Sequence, residues 1–496
     1  MQESTAFSPD PRLTGRQLGL MALAALVAAG TYLLAAKSAV GFGFPLDDSW
    51  IHLAYARNLA ELGQWAFLPG QFSAGSTAPL WTVLLAPGFL FRLGPYVWTY
   101  ALGIACLMGL GVVTERIVRR QVPDYRPSLP WAGLLMVTEW HFVWAAVSGM
   151  ETLLYTLLVI VVLGMILQGS RNFIGQGVLI GLSVWLRPDG LTLLAPALIA
   201  ALLMTAPARG RMKSVLMLGG GFAAVVLPYV LMNLAISGTP FPNTFYAKQA
   251  EYLYWRSSPL PIKLENLSWV FFGGLALLMV PAVVAATVRA LRLKSWPLLL
   301  TMAWAAGYTW LYASRLPVYQ HGRYIMPAVA VFLLVGLIFL AEWLPSARSR
   351  LMRLLRFAWI ASIVIISGVF YVYGATVFAR DVSMIERKLV ASAKWVAQNV
   401  SSDQLIAVHD IGALGYFAPQ VRLLDLAGLI SPEVVPFISD EGKLAAYISA
   451  SGAEYIIILP RHYPELAKMG QPVFIASSPE DTTPVDSVVI YRWEGP

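Results

Sequence analysis

The amino-acid sequence predicts a polytopic α-helical membrane protein that carries a small C-terminal α/β domain. Hydrophobic residues make up 58% of the 496 residues and charged residues only 12%, and the mean hydropathy is +0.65. So little polar surface cannot cover a water-soluble fold of this size. Apolar runs of membrane-spanning length recur from the N-terminus to about residue 378 and then stop. The membrane-embedded part is therefore expected to end there.

About eleven transmembrane helices are expected within residues 1–379, the first of two predicted domains. The predicted spans are 18–36, 96–115, 131–148, 152–168, 173–186, 191–206, 214–236, 269–288, 297–313, 325–343 and 357–378. The pair 173–186 and 191–206 is short. If this pair forms a hairpin that does not fully cross the membrane, the sidedness of the later spans is unchanged.

One further apolar run, residues 78–91, is not expected to cross the membrane. The run is short and contains Pro79 and Pro87. Counting it as a span would also place four basic loops outside, against the positive-inside rule. We therefore predict that it lies at the outer membrane surface or re-enters from it, within a first outer loop of residues 41–95 that carries membrane-surface helices.

The distribution of lysine and arginine predicts the orientation in the plasma (inner) membrane. With a cytoplasmic N-terminus and eleven crossings, four basic loops fall on the cytoplasmic side, as the positive-inside rule requires. These loops contain Arg116, Arg119, Arg120 and Arg126; Arg209, Arg211 and Lys213; Arg289, Arg292 and Lys294; and Arg348, Arg350, Arg353 and Arg356. The formal net charge of +8 is therefore explained by the orientation of the chain in the membrane and by contact with anionic lipid. No nucleic-acid partner is expected.

Residues 380–496 are predicted to form a small extracytoplasmic α/β domain. They carry 9 basic and 14 acidic residues, in contrast to the basic remainder of the chain. The segments predicted to be strands are LIAVHD (405–410), VRLLDL (421–426), EYIIIL (454–459), VFIA (473–476) and SVVIYRW (487–493). Helix-like stretches at 383–400 and 440–451 fall between some of these strands. The single cysteine, Cys106, excludes a disulfide framework or a cysteine-based metal site.

The densest polar cluster beside the membrane is FPLDDSWIHLAYARNLAELGQW (44–65), directly after the first span. Asp47 and Asp48 are adjacent carboxylates, and His52, Tyr55 and Arg57 follow at helical spacing. A carboxylate in a partly desolvated site has a raised pKa and can take a proton from an attacking hydroxyl. The alternative is structural, with either aspartate capping the helix and Arg57 paired with phospholipid.

Further motifs follow in order along the chain. They are DDSWIHLAYARNLAELG (47–63), PGQFSAGSTAPLWT (69–82), SGMET (148–152), WLRPDG (185–190), GTPFPNTFYAK (238–248), HGRYIMP (321–327) and HDIGALGYFAPQVRLLDLAGL (409–429). Their succession resembles the GT-C glycosyltransferases, most closely the arabinofuranosyl- and mannosyltransferase-like branch. The resemblance to protein O-mannosyltransferases and lipid A aminoarabinose transferases is more distant. The chain departs from the family at WAFLPGQ (65–71), where the family often has an asparagine.

The resemblance implies a membrane glycosyltransferase that transfers a monosaccharide from a polyprenyl-phosphate donor to a hydroxyl acceptor on the extracytoplasmic face, by an inverting displacement. The acceptor would be a glycan, a lipid or a protein. In the family an acidic residue of the first outer loop acts as base, and it matches Asp47 or Asp48. Cations must stabilise the departing phosphate. The residues expected to bind the donor phosphate or sugar are Lys248, Arg323, His321, Arg57, Arg187, Asn243, Tyr246, Tyr324 and Glu151.

Each of these residues also has a structural interpretation. Arg187 and Asp189 flank a proline and could pair with each other, and Lys248 could extend to lipid headgroups. Glu151 could serve only to stabilise the N-terminus of its helix. The carboxylate pair could serve a divalent metal, but no third ligand is visible in the sequence. No cofactor is therefore expected. The predicted topology nevertheless places the charged residues of these motifs at or near the outer face.

Two other classes of function compete with the transferase. A lipid or oligosaccharide flippase would favour charged residues at the membrane midplane, broken helices and repeat symmetry. In this sequence the polar motifs fall toward one face instead. A non-catalytic assembly protein that retains the GT-C scaffold is the other alternative, because a fold does not fix an activity.

Overall fold

The computed structural model describes residues 12–205, 207–346 and 349–496. Arg348 of the fourth basic loop and residue 206 at the end of a predicted span lie outside the described residues. The helices are α1 (Gly15–Ala39), α2 (Asp48–Leu62), α3 (Pro79–Leu90), α4 (Gly94–Gln121), α5 (Trp131–Thr138), α6 (Trp140–Ala146), α7 (Thr152–Leu167), α8 (Phe173–Leu186), α9 (Leu194–Leu203), α10 (Ala208–Ser237), α11 (Asn243–Glu251), α12 (Leu260–Phe272), α13 (Leu275–Leu293), α14 (Trp296–Arg315), α15 (Met326–Trp343), α16 (Arg350–Ile385), α17 (Ala391–Asn399), α18 (Gly412–Phe417) and α19 (Glu441–Ser451). The strands are β1 (Ala66–Leu68), β2 (Gln71–Phe72), β3 (Leu405–Val408), β4 (Arg422–Asp425), β5 (Tyr455–Ile458), β6 (Gly470–Ala476) and β7 (Val488–Trp493).

The chain is a polytopic membrane protein, as predicted. Within the described ranges, six helical segments are long and apolar enough to cross a membrane: α1, α4, α10, α13, α15 and the continuous segment from α16 to α17. Shorter apolar helices of 10–17 residues include α3, α7 and α8. Helical residues occur at every predicted span. The number of crossings and the orientation stay predictions.

Two predicted spans are interrupted by residues that a continuous helix does not accommodate. Residues 131–148 form two helices, α5 and α6, because Glu139 has an extended backbone with φ −66° and ψ 126°. The Glu139 carboxylate accepts hydrogen bonds from two backbone N–H groups at the start of α6, which satisfies otherwise unpaired donors. The span predicted at 269–288 begins within α12, and Gly274, at φ 149°, separates α12 from α13. Only glycine adopts such a backbone at little cost.

The C-terminal region contains a mixed five-stranded sheet in the order β4-β3-β5-β7-β6. Strand β3 is parallel to both β4 and β5, whereas β7 is antiparallel to β5 and β6. The five predicted strands are confirmed, and the two helix-like stretches form the segment from the end of α16 through α17, and α19. Because α16 runs without a break from the membrane bundle toward α17, the sheet is attached directly to the last membrane helix.

Helix α2 is held between the membrane bundle and the C-terminal region. The ring of Trp50 is fully buried, and its centroid lies 4.8 Å from that of Tyr416 and 4.7 Å from that of Phe417. On the membrane side, Ser49 donates a hydrogen bond of 2.7 Å to the Ser148 carbonyl. Buried aromatic contacts and buried hydrogen bonds of this kind hold a helix in one position. The carboxylates at the start of α2 therefore have defined surroundings.

Candidate active site

A cavity of about 110 Å³ lies where α2, the starts of α7 and α15, and the ends of α8 and α14 meet. Six residues that the sequence predicts as site residues line this cavity: Asp48, Glu151, Arg187, Lys248, Arg323 and Tyr324. They come from segments separated by up to 276 positions in the chain. The fold therefore brings residues of the first outer loop and of four later motifs to one cavity.

Asp48 is the acidic group that faces the cations of the cavity. Its Oδ2 lies 3.3 Å from the Lys248 Nζ and also accepts a hydrogen bond from the Arg323 guanidinium. Burial alone would raise the pKa of Asp48, but the charges of Lys248 and Arg323 outweigh it and hold the pKa well below the ordinary value. The carboxylate is therefore ionised at neutral pH.

The ring of Tyr324 is surrounded by three cations. The guanidinium carbons of Arg187 and Arg323 lie 4.4 and 4.8 Å from the ring centroid, and the Lys248 Nζ lies 5.6 Å from it. The Tyr324 hydroxyl also accepts hydrogen bonds of 2.9 Å from both Lys248 and Arg323. Burial would raise the pKa of Tyr324, but the charges of Arg323, Lys248 and Arg187 lower it to about 8. The three cations therefore favour a negatively charged oxygen at the position of the Tyr324 hydroxyl.

Arg323 is almost completely buried, with 2% of its surface exposed. Its Nη2 donates to Asp48 and Tyr324, whereas its Nε and Nη1 are buried and have no hydrogen-bond partner in the part of the chain that the structure describes. Leaving donors of a buried charged group unpaired is costly. These N–H groups do not reach the surface of the cavity, so a ligand with several acceptor oxygens, such as a phosphate, would pair with them only after the guanidinium turns.

A second charged group of the cavity is centred on Glu151 and Arg187. Arg187 donates hydrogen bonds of 2.9 Å to Glu151 and 2.9 Å to Asp189. The fully buried Glu151 also lies 3.6 Å from His52 Nε2. The local pair of Arg187 and Asp189 is therefore present, as its structural interpretation anticipated. Since Arg187 also binds Glu151 and lies over Tyr324, that pair belongs to the cavity.

Asp47 contacts the C-terminal region and is not among the residues that line the cavity. Its carboxylate accepts hydrogen bonds of 2.7 Å from the backbone N–H groups of Gly412 and Ala413, at the start of α18. Burial and then the negative charge of Asp410 raise the pKa of Asp47 to about 7, although the two hydrogen bonds oppose this change. The neighbouring aspartates therefore have different surroundings: Asp48 faces cations, and Asp47 anchors α18.

We expect the replacement Asp47→Ala to weaken the attachment of the C-terminal region to α2. The change removes two hydrogen bonds to an ionisable acceptor, each of which contributes about 1.5–3 kcal/mol. The thermal unfolding midpoint should fall, and limited proteolysis should cut within residues 380–496 sooner. Glu61→Ala is the matched control, because Glu61 is an exposed carboxylate at the other end of α2. Equal midpoints and equal cleavage for the two variants would show that Asp47 is no anchor.

Four of the predicted donor-binding residues lie outside this cavity. Arg57 stacks 4.9 Å from the Tyr416 ring centroid and donates to the carbonyls of Gly415 and Tyr416, so it holds α18. Asn243 donates to the Leu429 carbonyl at 3.3 Å. Arg57 and Asn243 therefore help to attach the C-terminal region to the rest of the protein.

The other two residues outside the cavity are Tyr246 and His321. Tyr246 packs with its ring centroid 5.3 Å from that of Phe245. His321 lies 2.7 Å from Asp381 Oδ2 and lines a different cavity. A motif places a residue near a site, but the backbone direction decides which side of a segment each side chain takes. His321 and Arg323, two positions apart, face different cavities for this reason.

The structure adds residues that the sequence reasoning did not propose for the site. They are His52, Asp189, Tyr312 and Arg315. His52 follows Asp48 by four positions, which places both on one face of a helix. That spacing was the signal that could have identified it. Tyr312 and Arg315 belong to no motif, and only the packing of α14 beside the cavity identifies them.

Among the described residues, no group of three or more histidine, cysteine, aspartate or glutamate side chains could hold a metal ion. The carboxylates of the cavity are instead paired with arginine and lysine. The prediction that no cofactor is needed stays a prediction.

The architecture of membrane bundle, surface helix α2 and attached sheet is the GT-C fold. Among solved structures, ArnT from Cupriavidus metallidurans bound to undecaprenyl phosphate is similar over 95% of this chain and 98% of its own, with 14% identity and a TM-score of 0.60. The oligosaccharyltransferase of Archaeoglobus fulgidus is similar over 95% of this chain and 76% of its own, with 11% identity and a TM-score of 0.62. Another structure of an Archaeoglobus fulgidus oligosaccharyltransferase, AglB in complex with an inhibitory peptide and a dolichol-phosphate, has 12% identity and a TM-score of 0.58, and covers 96% of this chain and 75% of its own.

Comparisons of the sequence alone find less similarity to known proteins than the comparison of structures does. Residues 380–491 match a family described as a domain of unknown function, DUF8728. No curated protein matches the chain. The resemblance to GT-C enzymes therefore rests on the three-dimensional fold and on the short motifs given above.

Proposed function

We propose that the protein is a membrane glycosyltransferase that transfers a monosaccharide from a polyprenyl-phosphate donor to a hydroxyl acceptor. The observation that carries the proposal is the cluster of Arg323, Lys248 and Arg187, which line one cavity and surround the ring of Tyr324. Three cations around one tyrosine ring suit a phosphate that gains charge as the glycosidic bond breaks. The undecaprenyl phosphate and dolichol-phosphate bound by the similar structures support a lipid-linked donor.

An apolar groove suits the lipid tail of this donor. It has a volume of about 400 Å³ and is lined by residues of α12 to α15 that include Phe271, Met302, Trp310 and Phe332. Helix α14 contributes to both sites, since the residue next to Trp310, Leu311, lines the charged cavity. We place the prenyl chain in the groove and the phosphate against Arg323 and Lys248. In this arrangement an apolar tail lies on apolar side chains and an anion lies on cations.

Asp48 is the proposed general base, because it lines the cavity and Asp47 does not. With Lys248 and Arg323 bound to it, Asp48 has a low pKa and is a weak base. A donor phosphate would compete for the same two cations. When Lys248 and Arg323 bind the phosphate instead, their charges no longer offset the effect of burial on Asp48. The pKa of Asp48 then rises, and the carboxylate becomes a better proton acceptor.

The chemical step is a single displacement. Asp48 takes the proton of the acceptor hydroxyl, and the acceptor oxygen forms a bond to the anomeric carbon. The bond from that carbon to the phosphate oxygen breaks, and the polyprenyl phosphate leaves with the electron pair, stabilised by Arg323, Lys248 and Arg187. Attack opposite the leaving group inverts the anomeric configuration. We place this step on the extracytoplasmic face.

The test begins with the lipids of a strain that lacks the protein. We expect one polyprenyl-phosphate monosaccharide to accumulate there, identified by mass spectrometry. Purified wild-type protein in lipid nanodiscs should then cleave that lipid when acceptor membranes are added, and free polyprenyl phosphate should appear. If no lipid-linked sugar accumulates and pentose, hexose and amino-sugar donors all stay intact, the proposal is wrong. Movement of the lipid between leaflets without cleavage would indicate a transporter instead.

A further inference from the structure

A second cavity, of about 770 Å³, lies on the other side of the segment that carries Arg323. Gln320 and His321 line this second cavity, whereas Arg323 and Tyr324 line the charged one. The two sites therefore share one stretch of backbone as a wall. The function proposed above makes no use of the second cavity.

The shared wall has an unusual backbone. Gln320 and His321 are consecutive non-glycine residues in the left-handed region, at φ 52° and 55°. Such a backbone is strained for a residue with a side chain and persists only where its surroundings enforce it, often at binding sites. Asp381 holds His321 in this conformation. The Asp381 Oδ2 lies 2.7 Å from His321 Nε2 and also accepts a hydrogen bond of 2.9 Å from Trp144. The strained wall is thus held in place from the side of the second cavity.

The lining of the second cavity combines aromatic rings with hydrogen-bonding groups. Trp140, Trp269, Phe370 and Tyr373 contribute rings. Asn266 and Gln320 contribute amide groups, and Glu265 contributes a carboxylate. A ligand that offers both a C–H face and hydroxyl donors would suit this lining, because aromatic faces pack on apolar surface and amide and carboxylate oxygens accept hydrogen bonds from hydroxyls.

The charge of the lining separates this cavity from the other two. The described residues that line it include Glu265 but no lysine or arginine, and Glu139 and Asp381 pair with its two histidines. A phosphate or an anionic headgroup would find no lysine or arginine there. The groove proposed for the prenyl tail is almost wholly apolar, whereas this cavity also has polar groups, among them Asn266 and Gln320. Its lining suits an uncharged, hydroxyl-rich ligand.

We propose that the second cavity binds a neutral sugar residue of a glycan, separate from the sugar-phosphate site. Binding of the sugar rests on this cavity alone. That the glycan is the acceptor rests on the proposed function. The wall separates this cavity from Asp48, so the sugar bound here is not the one whose hydroxyl reacts. It is another residue of the glycan, held beside the site where the donor binds. The substrate class is therefore a glycan rather than a protein or a lipid with a charged headgroup.

The test measures binding to the full chain in lipid nanodiscs, because the sugar headgroups of alkyl-glycoside detergents would compete. The probes are neutral arabinan, mannan and glucan tetrasaccharides and, as an anionic match, a galacturonan tetrasaccharide. Isothermal titration should show saturable binding of at least one neutral probe to the wild type and weaker binding of the galacturonan. Trp269→Ala and Tyr373→Ala should each weaken neutral binding by about tenfold, the scale of one lost aromatic contact.

Two controls separate this inference from the proposed function. Trp269 and Tyr373 are 76% and 50% exposed, so their replacement leaves the core intact, and Trp296→Ala, at 53% exposure on α14, is the matched aromatic control that should bind normally. Asp48→Asn should bind the neutral probe as the wild type does, even if it transfers no sugar. The inference is overturned if no neutral probe binds, if the galacturonan binds as tightly, or if neither cavity variant weakens binding.

Discussion

Replacement of Asp48 by asparagine is expected to lower the rate of sugar transfer by about two to four orders of magnitude, the contribution typical of a positioned general base. Asparagine keeps the shape of the side chain and can still contact Arg323 and Lys248, but it cannot take a proton at neutral pH. The variant should fold normally and retain the lipid-linked donor. Transfer is measured as release of polyprenyl phosphate from the donor that accumulates in the deletion strain.

Glu61→Gln is the matched control for this change, since it neutralises an exposed carboxylate on the same helix. It should transfer at the wild-type rate. If Asp48→Asn also transfers at that rate while folded, Asp48 is not the base and the assignment fails. Asp47→Asn then becomes the informative variant, because Asp47 is the alternative that the sequence left open.

The pH profile gives a second measure of the role of Asp48. In the free protein its pKa is held well below the ordinary value by Lys248 and Arg323, so the acidic limb of kcat/KM should lie at low pH. In the proposed donor complex the phosphate binds these cations in place of Asp48, so the acidic limb of kcat should lie at higher pH. Coincident limbs would show that the donor does not release Asp48.

Replacement of Arg323 is expected to have the second-largest effect. Arg323→Ala removes the buried guanidinium and should lower kcat by about 10²–10³, as loss of one transition-state donor typically does. Arg323→Lys keeps the charge but cannot grip two phosphate oxygens at once, so it should recover only part of the rate. Asp48 keeps Lys248 as a partner in both variants, so neither leaves an unpaired carboxylate.

Affinity separates a phosphate-binding role from a role in folding. Native mass spectrometry should show that Arg323→Ala retains less polyprenyl phosphate than the wild type does, at a temperature well below the melting temperature of the variant. Arg256→Ala, which removes an exposed arginine that contacts Gln249, is the control and should retain the lipid normally. Normal lipid retention and normal transfer by Arg323→Ala would contradict the phosphate site.

Much of the fold was predictable because it follows from local patterns. Apolar runs predicted the helices of the bundle, and alternating buried segments predicted the five C-terminal strands. The break at Glu139 was not predicted, since a single acidic residue within an apolar run gives no sign that its carboxylate caps the next helix. The break at Gly274 was missed because a glycine within a span is common, and its positive φ is visible only in three dimensions.

The candidate site was predictable in its membership more than in its geometry. The motifs supplied Asp48, Lys248 and Arg323, which meet in the structure. The motifs could not distinguish Asp47 from Asp48 as the base. Side chains at adjacent helical positions point about 100° apart, and only the packing of α18 shows that the Asp47 carboxylate binds the C-terminal region. The motifs also grouped His321 with Arg323, although a left-handed turn directs the two side chains into different cavities.

The most direct test of the account is a structure of the protein bound to a polyprenyl phosphate in lipid nanodiscs. The account predicts phosphate oxygens within about 3 Å of the Arg323 guanidinium and of Lys248 Nζ, the distance of a charge-assisted hydrogen bond. It also predicts that Asp48 has lost its contact with Arg323. A phosphate bound elsewhere, or one bound while Asp48 and Arg323 remain paired, would contradict it.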